Sequence, residues 1–217
     1  MQRTFKSKIR HGNLCMKAIK YNGFIFLFPP RPENIIRSDT LNVFEKKRYV
    51  AQIKKNGTGS ILAVSPDKKF IFKTRQGTEH KQWSPPAEIL DPFYSLPDRW
   101  YYFCFELLHS KTKHIKNTMF IHDLLVANNN YLIGTKYIDR YNLLHNLFRV
   151  KESHSQYDVI SDNITIANNY NIGFETLYNS LGNTEDEGLV LKNPQAKLSL
   201  CTKEKSNYVW QVKCRRF

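Results

Sequence analysis

One lysine, Lys54, has a sequence setting that suits a nucleophile. It ends an alternating apolar run that starts at Tyr49, and it precedes the pair Asn56-Gly57. The alternation predicts a β-strand, and Asn-Gly favours a tight hairpin turn into the next apolar run, Ile61 to Val64. A lysine amine attacks phosphorus or carbonyl carbon only when neutral, so burial or nearby positive charge must promote loss of its proton. Lys55 and a bound metal are the expected sources of that charge, although two solvated lysines beside a turn are the alternative for this tetrapeptide alone.

Further charged or polar residues interrupt or end apolar strands downstream of Lys54. A rigid scaffold presents functional side chains at such positions. The strand period predicts that Glu187 and Lys192 point to opposite faces of one strand, whereas Lys213 and Arg215 share a face of another. The full set is Arg75, Glu106, His122-Asp123, Glu187, Lys192, Lys213 and Arg215.

In this order the segments resemble the motifs of the covalent nucleotidyltransferases, the superfamily of ATP-dependent DNA and RNA ligases and mRNA capping enzymes. Lys54-Lys55-Asn56-Gly57 resembles motif I, usually K-x-D-G, with asparagine in place of aspartate. The run from Glu187 to Lys192 resembles motif IV. Lys213-Cys214-Arg215 resembles motif V, with arginine in place of the second lysine. Thr74 to Gly77 is similar to the arginine-bearing strand that follows motif I, and Arg140 also matches a ligase pattern.

The resemblance implies a role for each matched residue. Lys54 would be the catalytic lysine that becomes adenylylated, Glu106 would hold the ribose, and His122 or Phe120 would stack on adenine. Glu187 would bind the metal. ATP and Mg²⁺ (or Mn²⁺) are the implied cofactors. The residues implied to bind the nucleotide are Gln52, Arg75, Glu106, His122, Lys192, Lys213 and Arg215.

The implied activity is that of an ATP-dependent polynucleotide ligase acting on RNA or DNA. AMP would pass from the lysine to a 5′-phosphate, and a 3′-hydroxyl would then displace AMP and seal the break. The implied partner is therefore a nucleic acid with 5′-phosphate and 3′-hydroxyl ends. Three alternatives stay open: a GTP-using mRNA capping guanylyltransferase, a non-catalytic nucleic-acid-binding module, and a nucleotidyltransferase that modifies proteins.

The expected fold class is α+β, with antiparallel β-sheets flanked by helices, as in the ATP-grasp-like ligase nucleotidyltransferase domain. Helical spacing predicts a helix over residues 135–150. A second helix is predicted over residues 172–181, ended by Gly182. Four prolines predict an irregular loop over residues 83–97, with one helical turn at 86–90. The asparagine cluster from Asn128 to Asn130 is predicted to form a hairpin turn.

The expected domain organisation is a basic N-terminal extension, residues 1–33, and a nucleotidyltransferase (adenylation) domain, residues 34–217. Pro29-Pro30-Arg31-Pro32 marks the break between them. Ligases and capping enzymes usually add a C-terminal OB-fold domain, and none is expected here because Arg215 lies two residues from the end. The domain would then work alone, be a fragment, or rely on a partner that supplies the OB-domain function.

Composition agrees with a nucleic-acid partner. The 33 Lys and Arg residues outnumber 19 Asp and Glu, giving a formal charge of +14, so phosphate backbones and salt-sensitive binding are expected. Apolar runs are far shorter than the roughly 20 residues that span a bilayer, and no basic amphipathic helix favours membrane binding. The expectation is a soluble intracellular protein, cytoplasmic or nuclear. Reduced thiols without a metal site are predicted for the cysteines, because none forms a C-x-x-C pair: Cys15, Cys104, Cys201 and Cys214.

Overall fold

The structure is a computed structural model that describes residues 19–182, 185–203 and 210–216. These residues form two β-sheets with helices packed against them. The strands are β1 (Ile19–Lys20), β2 (Asn34–Ile36), β3 (Val50–Lys55), β4 (Thr58–Val64), β5 (Phe70–Thr74), β6 (Tyr101–Leu108), β7 (Thr118–Ala127), β8 (Asn130–Tyr131), β9 (Glu152–Ser153), β10 (Tyr157–Ser161), β11 (Ile164–Ala167), β12 (Asp186–Lys192) and β13 (Gln211–Arg215). The helices are α1 (Leu41–Lys46), α2 (Ala87–Tyr94), α3 (Tyr137–Asn146) and α4 (Phe174–Ser180), with a 3₁₀ turn at Ser38–Thr40.

The larger sheet has the strand order β5-β4-β6-β7-β11-β10-β9, and β8 joins β1 to β7. Its core side chains pack against α2, whose Ile89 and Phe93 are fully buried. The predicted loop over residues 83–97 was therefore wrong in part, because an eight-residue helix continues through Pro92. Proline inside a helix removes a hydrogen bond. Burial of Ile89 and Phe93, which lie one helical turn apart, outweighs that cost.

The smaller sheet has the order β2-β13-β12-β3 and packs against α1 and α4. The α+β class is confirmed, and so are the two predicted helices, which appear as α3 and α4. The expected antiparallel pairing needs correction, because β13 pairs with β2 and β11 pairs with β7 in parallel. Both are pairs of strands distant in sequence, and turn signals in the sequence report only neighbouring strands.

The predicted hairpin at Asn56-Gly57 was wrong. β3 pairs with β12 in the smaller sheet, whereas β4 pairs with β5 and β6 in the larger one. The turn is held in place by two hydrogen bonds: Asn56 N–H donates to the carbonyl of Glu185 at 2.6 Å, and Lys111 Nζ donates to that of Gly57 at 2.7 Å. Lys54 therefore lies where the chain leaves one sheet for the other.

A hairpin does form at the asparagine cluster, as predicted. Asn128 and Asn129 have positive φ values of 50° and 62°, and Ala127 pairs with Asn130 across the turn. Asparagine tolerates this left-handed backbone better than most residues. None of the helices in the described residues is both long and apolar enough to cross a membrane. Three cysteines are buried and free of disulfides, Cys104, Cys201 and Cys214, while Cys15 lies outside the described residues.

The part of the N-terminal segment that the structure describes packs onto the larger sheet. Tyr21 and Leu27 are buried there, and the Tyr102 hydroxyl accepts from Leu27 N–H at 3.0 Å and donates to its carbonyl at 2.6 Å. The division of the chain at residue 33 stays a prediction.

Candidate functional site

A cavity of about 220 Å³ opens between the two sheets and receives side chains from both. β3, β12 and β13 of the smaller sheet supply one wall, and residues at the ends of β4, β5, β6 and β7 supply the other. The structure brings every predicted catalytic and nucleotide-binding residue to this cavity: Gln52, Lys54, Arg75, Glu106, His122, Lys192, Lys213 and Arg215.

Lys54 makes the central contact of the site. Its Nζ forms an ion pair with Oε2 of Glu187, and the same oxygen lies 3.6 Å from Nη2 of Arg215. The side chains of Lys54 and Glu187 are only 16% and 15% exposed. The expectation that Glu187 and Lys192 point to opposite sides assumed an unbroken strand, whereas β12 is irregular at Glu187. A register shift between Asp186 and Gly188 makes Glu187 an extra residue of the ladder, and such bulges redirect a side chain.

Lys55 is fixed by a second ion pair. Its Nζ lies 2.6 Å from Oδ1 of Asp186, with both side chains buried, and 5.5 Å from the centroid of the Phe120 ring. Its charge is thus balanced by a carboxylate within the protein. The prediction that Lys55 supplies positive charge to Lys54 stays a prediction, and the ion pair with Asp186 anchors the turn after Lys54.

Glu106 lies close to two glycines, Gly57 and Gly59. A Cβ added at Gly57 would lie 3.1 Å from Oε2 of Glu106, and one at Gly59 would lie 3.5 Å from Oε1. Burial raises the pKa of Glu106 to about 7, against the opposing effect of the Lys54, Lys111 and Arg75 charges. This carboxylate therefore titrates near neutral pH.

Lys192 and His122 form the inner end of the cavity. Lys192 Nζ donates to the His122 carbonyl at 3.0 Å and lies 4.6 Å from the Tyr137 ring centroid. Burial lowers the pKa of Lys192 to about 8, partly offset by Asp123. Burial, together with the charge of Lys192, lowers the pKa of His122 to about 3. The His122 imidazole is consequently neutral at physiological pH and presents a ring without charge.

Asp123 and Arg140 support this inner end. Arg140 is completely buried and donates from Nε and Nη2 to the two carboxylate oxygens of Asp123, at 3.0 and 2.9 Å. Burial opposes ionisation of Asp123, but Arg140 outweighs it and lowers the Asp123 pKa. Sequence reasoning singled out both residues but did not pair them, because they lie on different elements, β7 and α3.

Residues 29–33 also line the cavity, which sequence reasoning missed. The prolines predict a stiff break between domains, and stiffness carries no information about which residues the segment contacts. Gln211 is a further missed lining residue, and its buried Nε2 has no hydrogen-bond partner in the described structure.

A divalent cation would have few protein ligands here. Among the described residues, no three His, Cys, Asp or Glu side chains cluster closely enough to hold a metal ion. Glu187 is the carboxylate beside Lys54. Mg²⁺ is commonly held by one or two carboxylates together with substrate phosphates and water, so Glu187 fits a metal site that a phosphate completes.

Comparisons with known proteins identify the family and the fold. The family model described as "ATP dependent DNA ligase domain" matches residues 92–213, more than half of the chain. A search of curated protein sequences gives no match. Among solved structures, the chain is similar to a mycobacterial DNA ligase D complexed with ATP and MES, with a TM-score of 0.58 and 14% identity over 89% of this chain and 62% of that one.

Two further solved structures share the fold. The ligase domain of LigD from M. tuberculosis has a TM-score of 0.57 and 15% identity, covering 86% of this chain and 60% of that one. A Lig E DNA ligase has a TM-score of 0.52 and 12% identity, covering 87% of this chain and 69% of that one. The chain thus spans about three fifths of the LigD structures. From the match over residues 92–213, we conclude that this chain belongs to the ATP-dependent DNA ligase domain family.

Proposed function

We propose that this chain is the nucleotidyltransferase (adenylation) domain of an ATP-dependent polynucleotide ligase that works through a covalent lysine–AMP intermediate. The observation that carries the proposal is the ion pair between Lys54, which lines a cavity rich in cations, and the carboxylate of Glu187. Family membership supports ATP as the nucleotide and favours DNA over RNA as the polynucleotide.

The cavity offers a complementary group for each part of ATP. Glu106 can accept hydrogen bonds from the ribose hydroxyls, and neutral His122 or the buried Phe120 can stack on adenine. The phosphates carry negative charge that Lys192, Lys213 and Arg215 would balance. Gln52, Arg75 and Gln211 add hydrogen-bond donors to the walls.

Adenylylation requires the neutral amine of Lys54. In the proposed step, the Nζ lone pair attacks the α-phosphorus, a nitrogen–phosphorus bond forms, and the bond from phosphorus to the pyrophosphate oxygen breaks. Glu187 is in direct contact with Nζ and is placed to accept its proton. Fixed cations stabilise the charge that develops on the phosphate oxygens. Mg²⁺ held at Glu187 would add charge neutralisation on the phosphates when bound.

The second half of the reaction needs a nucleic acid. AMP would pass to a 5′-phosphate, and a 3′-hydroxyl would displace AMP to seal the strand. The net charge of +14 supports binding of a phosphate backbone. An intracellular location, where ATP and nucleic acid occur together, follows from this proposal.

The test is incubation with α-labelled ATP or GTP and Mg²⁺, followed by denaturing electrophoresis. We expect label from ATP on the parent chain and on Lys46→Ala, whose lysine is exposed on α1, and none on Lys54→Ala. Label from GTP would instead indicate a capping guanylyltransferase. Label on a second protein would indicate a protein-modifying enzyme, and no label from either nucleotide would contradict the proposal.

A further inference from the structure

The segment Pro29–Glu33, here called the proline segment, connects the two sheets along the cavity. At one end, Leu27 is fastened to Tyr102 of β6 by hydrogen bonds of 3.0 and 2.6 Å. At the other end, Asn34 begins β2 and pairs with Val212 of β13. Because its two ends belong to different sheets, the segment must pass beside the space between them.

The backbone of the proline segment is stiff. Pro29, Pro30 and Pro32 each have a fixed φ, and a residue that precedes proline is confined to extended conformations. Arg31 precedes Pro32, so its backbone is restricted as well. Because the backbone at Arg31 already has little freedom, binding of a ligand to the Arg31 side chain costs little backbone conformational entropy.

Arg31 carries the chemistry of the proline segment. It forms an ion pair with Glu33, and both side chains line the cavity with exposures of 26% and 36%. The negative charge of Glu33 also acts on Lys213 of β13, which lines the same cavity. Guanidinium groups match phosphate with two parallel hydrogen bonds, which makes arginine a better phosphate ligand than a point charge.

We propose that Arg31 is a ligand for the phosphate chain of ATP, and that Glu33 is its counterion until phosphate displaces it. This assignment rests on the proposed function, because it takes the cavity to be the nucleotide site. It makes the proline segment part of the binding machinery. The nucleotide would then touch three parts of the chain: the proline segment, the smaller sheet and the larger sheet.

The test measures binding without chemistry, in a Lys54→Ala background, by calorimetry with ATP, pyrophosphate and adenosine. A lost charge-assisted hydrogen bond should weaken ATP and pyrophosphate binding by about 10-fold to 100-fold in Arg31→Ala. Adenosine binding should change less than twofold, because adenosine has no phosphate. Glu33→Gln should tighten ATP binding, since phosphate no longer competes with a carboxylate. Arg31→Lys, which keeps the charge but loses the planar fork, should fall between the parent and Arg31→Ala.

The chain offers a matched control in Arg37 and Asp39, which form an ion pair of 2.7 Å with the same sequence spacing and do not line the cavity. Arg37→Ala should leave ATP binding unchanged. If Arg31→Ala and Arg31→Lys weakened the binding of adenosine and of ATP equally, Arg31 would have a structural role and the assignment would be overturned. Unchanged ATP binding by Arg31→Ala would overturn the assignment alone. Failure of the Lys54→Ala parent to bind ATP or pyrophosphate would overturn both the assignment and the proposed function.

Discussion

Lys54 stands opposite Gly188 in the register of β3 and β12, yet its Nζ reaches the carboxylate of the preceding residue, Glu187. The register shift between Asp186 and Gly188 makes Glu187 an extra residue in β12, and this bulge allows its carboxylate to contact Lys54. On the next strand, Arg215 also pairs with Gly188, so the two cations stand on either side of a residue without a side chain. Glu187 consequently lies within reach of both.

Replacement of Glu187 should reduce lysine adenylylation. Glu187→Gln keeps the side-chain shape but removes the proton acceptor beside Nζ, and a lost general base typically costs 10²-fold to 10⁴-fold in rate. We expect a loss of about 100-fold or more in single-turnover transfer from labelled ATP. Glu175→Gln, exposed on α4, is the control and should match the parent. A parent-like rate for Glu187→Gln would contradict this role.

A side chain at Gly188 should destabilise the smaller sheet. Its φ is +141°, and an added Cβ would lie 1.9 Å from the carbonyl oxygen of Cys214, a backbone atom that cannot move independently. Gly188→Ala should lower the free energy of unfolding by about 3 kcal/mol or more, measured by urea denaturation. Gly23→Ala, where an added Cβ has nothing within 4 Å, should have little effect. Equal free energies of unfolding for Gly188→Ala and Gly23→Ala would disprove the close approach of Gly188 to the Cys214 carbonyl.

The buried pair of Asp123 and Arg140 should matter far more to stability than a surface pair. Asp123→Ala leaves the guanidinium of Arg140 buried without its partner, which should cost about 3–5 kcal/mol in free energy of unfolding. Asp162 and Lys151 form the matched exposed pair, at 2.7 Å. Asp162→Ala should leave chemical denaturation nearly unchanged because solvent screens the pair. Similar losses in free energy of unfolding for Asp123→Ala and Asp162→Ala would contradict the greater importance of the buried pair.

Glu106 should make stability depend on pH near neutrality. Its pKa is about 7 when folded, against an ordinary value of 4.5, so between these values the folded chain keeps a proton that the unfolded chain has released. The stabilisation from that proton is complete below pH 4.5 and is lost as pH rises through 7. The glutamine side chain of Glu106→Gln does not titrate, so it makes no such pH-dependent contribution to stability.

Denaturation of the parent and Glu106→Gln between pH 4.5 and 8 checks this sign. The parent should become progressively less stable relative to Glu106→Gln up to about pH 7, after which the difference should level off. Glu88→Gln, exposed on α2, should track the parent at every pH. A constant difference between the parent and Glu106→Gln would show that burial does not raise the Glu106 pKa.

Local patterns in the sequence were sufficient for elements that depend on neighbouring residues. Helical spacing predicted α3, a glycine stop signal at Gly182 marked the end of α4, and the asparagine cluster predicted the hairpin after β7. The ordered motifs predicted which residues share one cavity, from Lys54 to Arg215. These features are short-range or repeat a family pattern, so they do not require knowledge of which distant strands pair.

The sequence by itself determined the α+β class, the helices α3 and α4, and the residue types that meet at the cavity. The tertiary structure alone decided that the turn after Lys54 joins two sheets, that Glu187 bulges toward Lys54, and that the proline segment lines the cavity. Each depends on contacts between residues far apart in the chain. Alternation and turn signals carry no information about such contacts, because they are set by how the two sheets pack and by which strands pair.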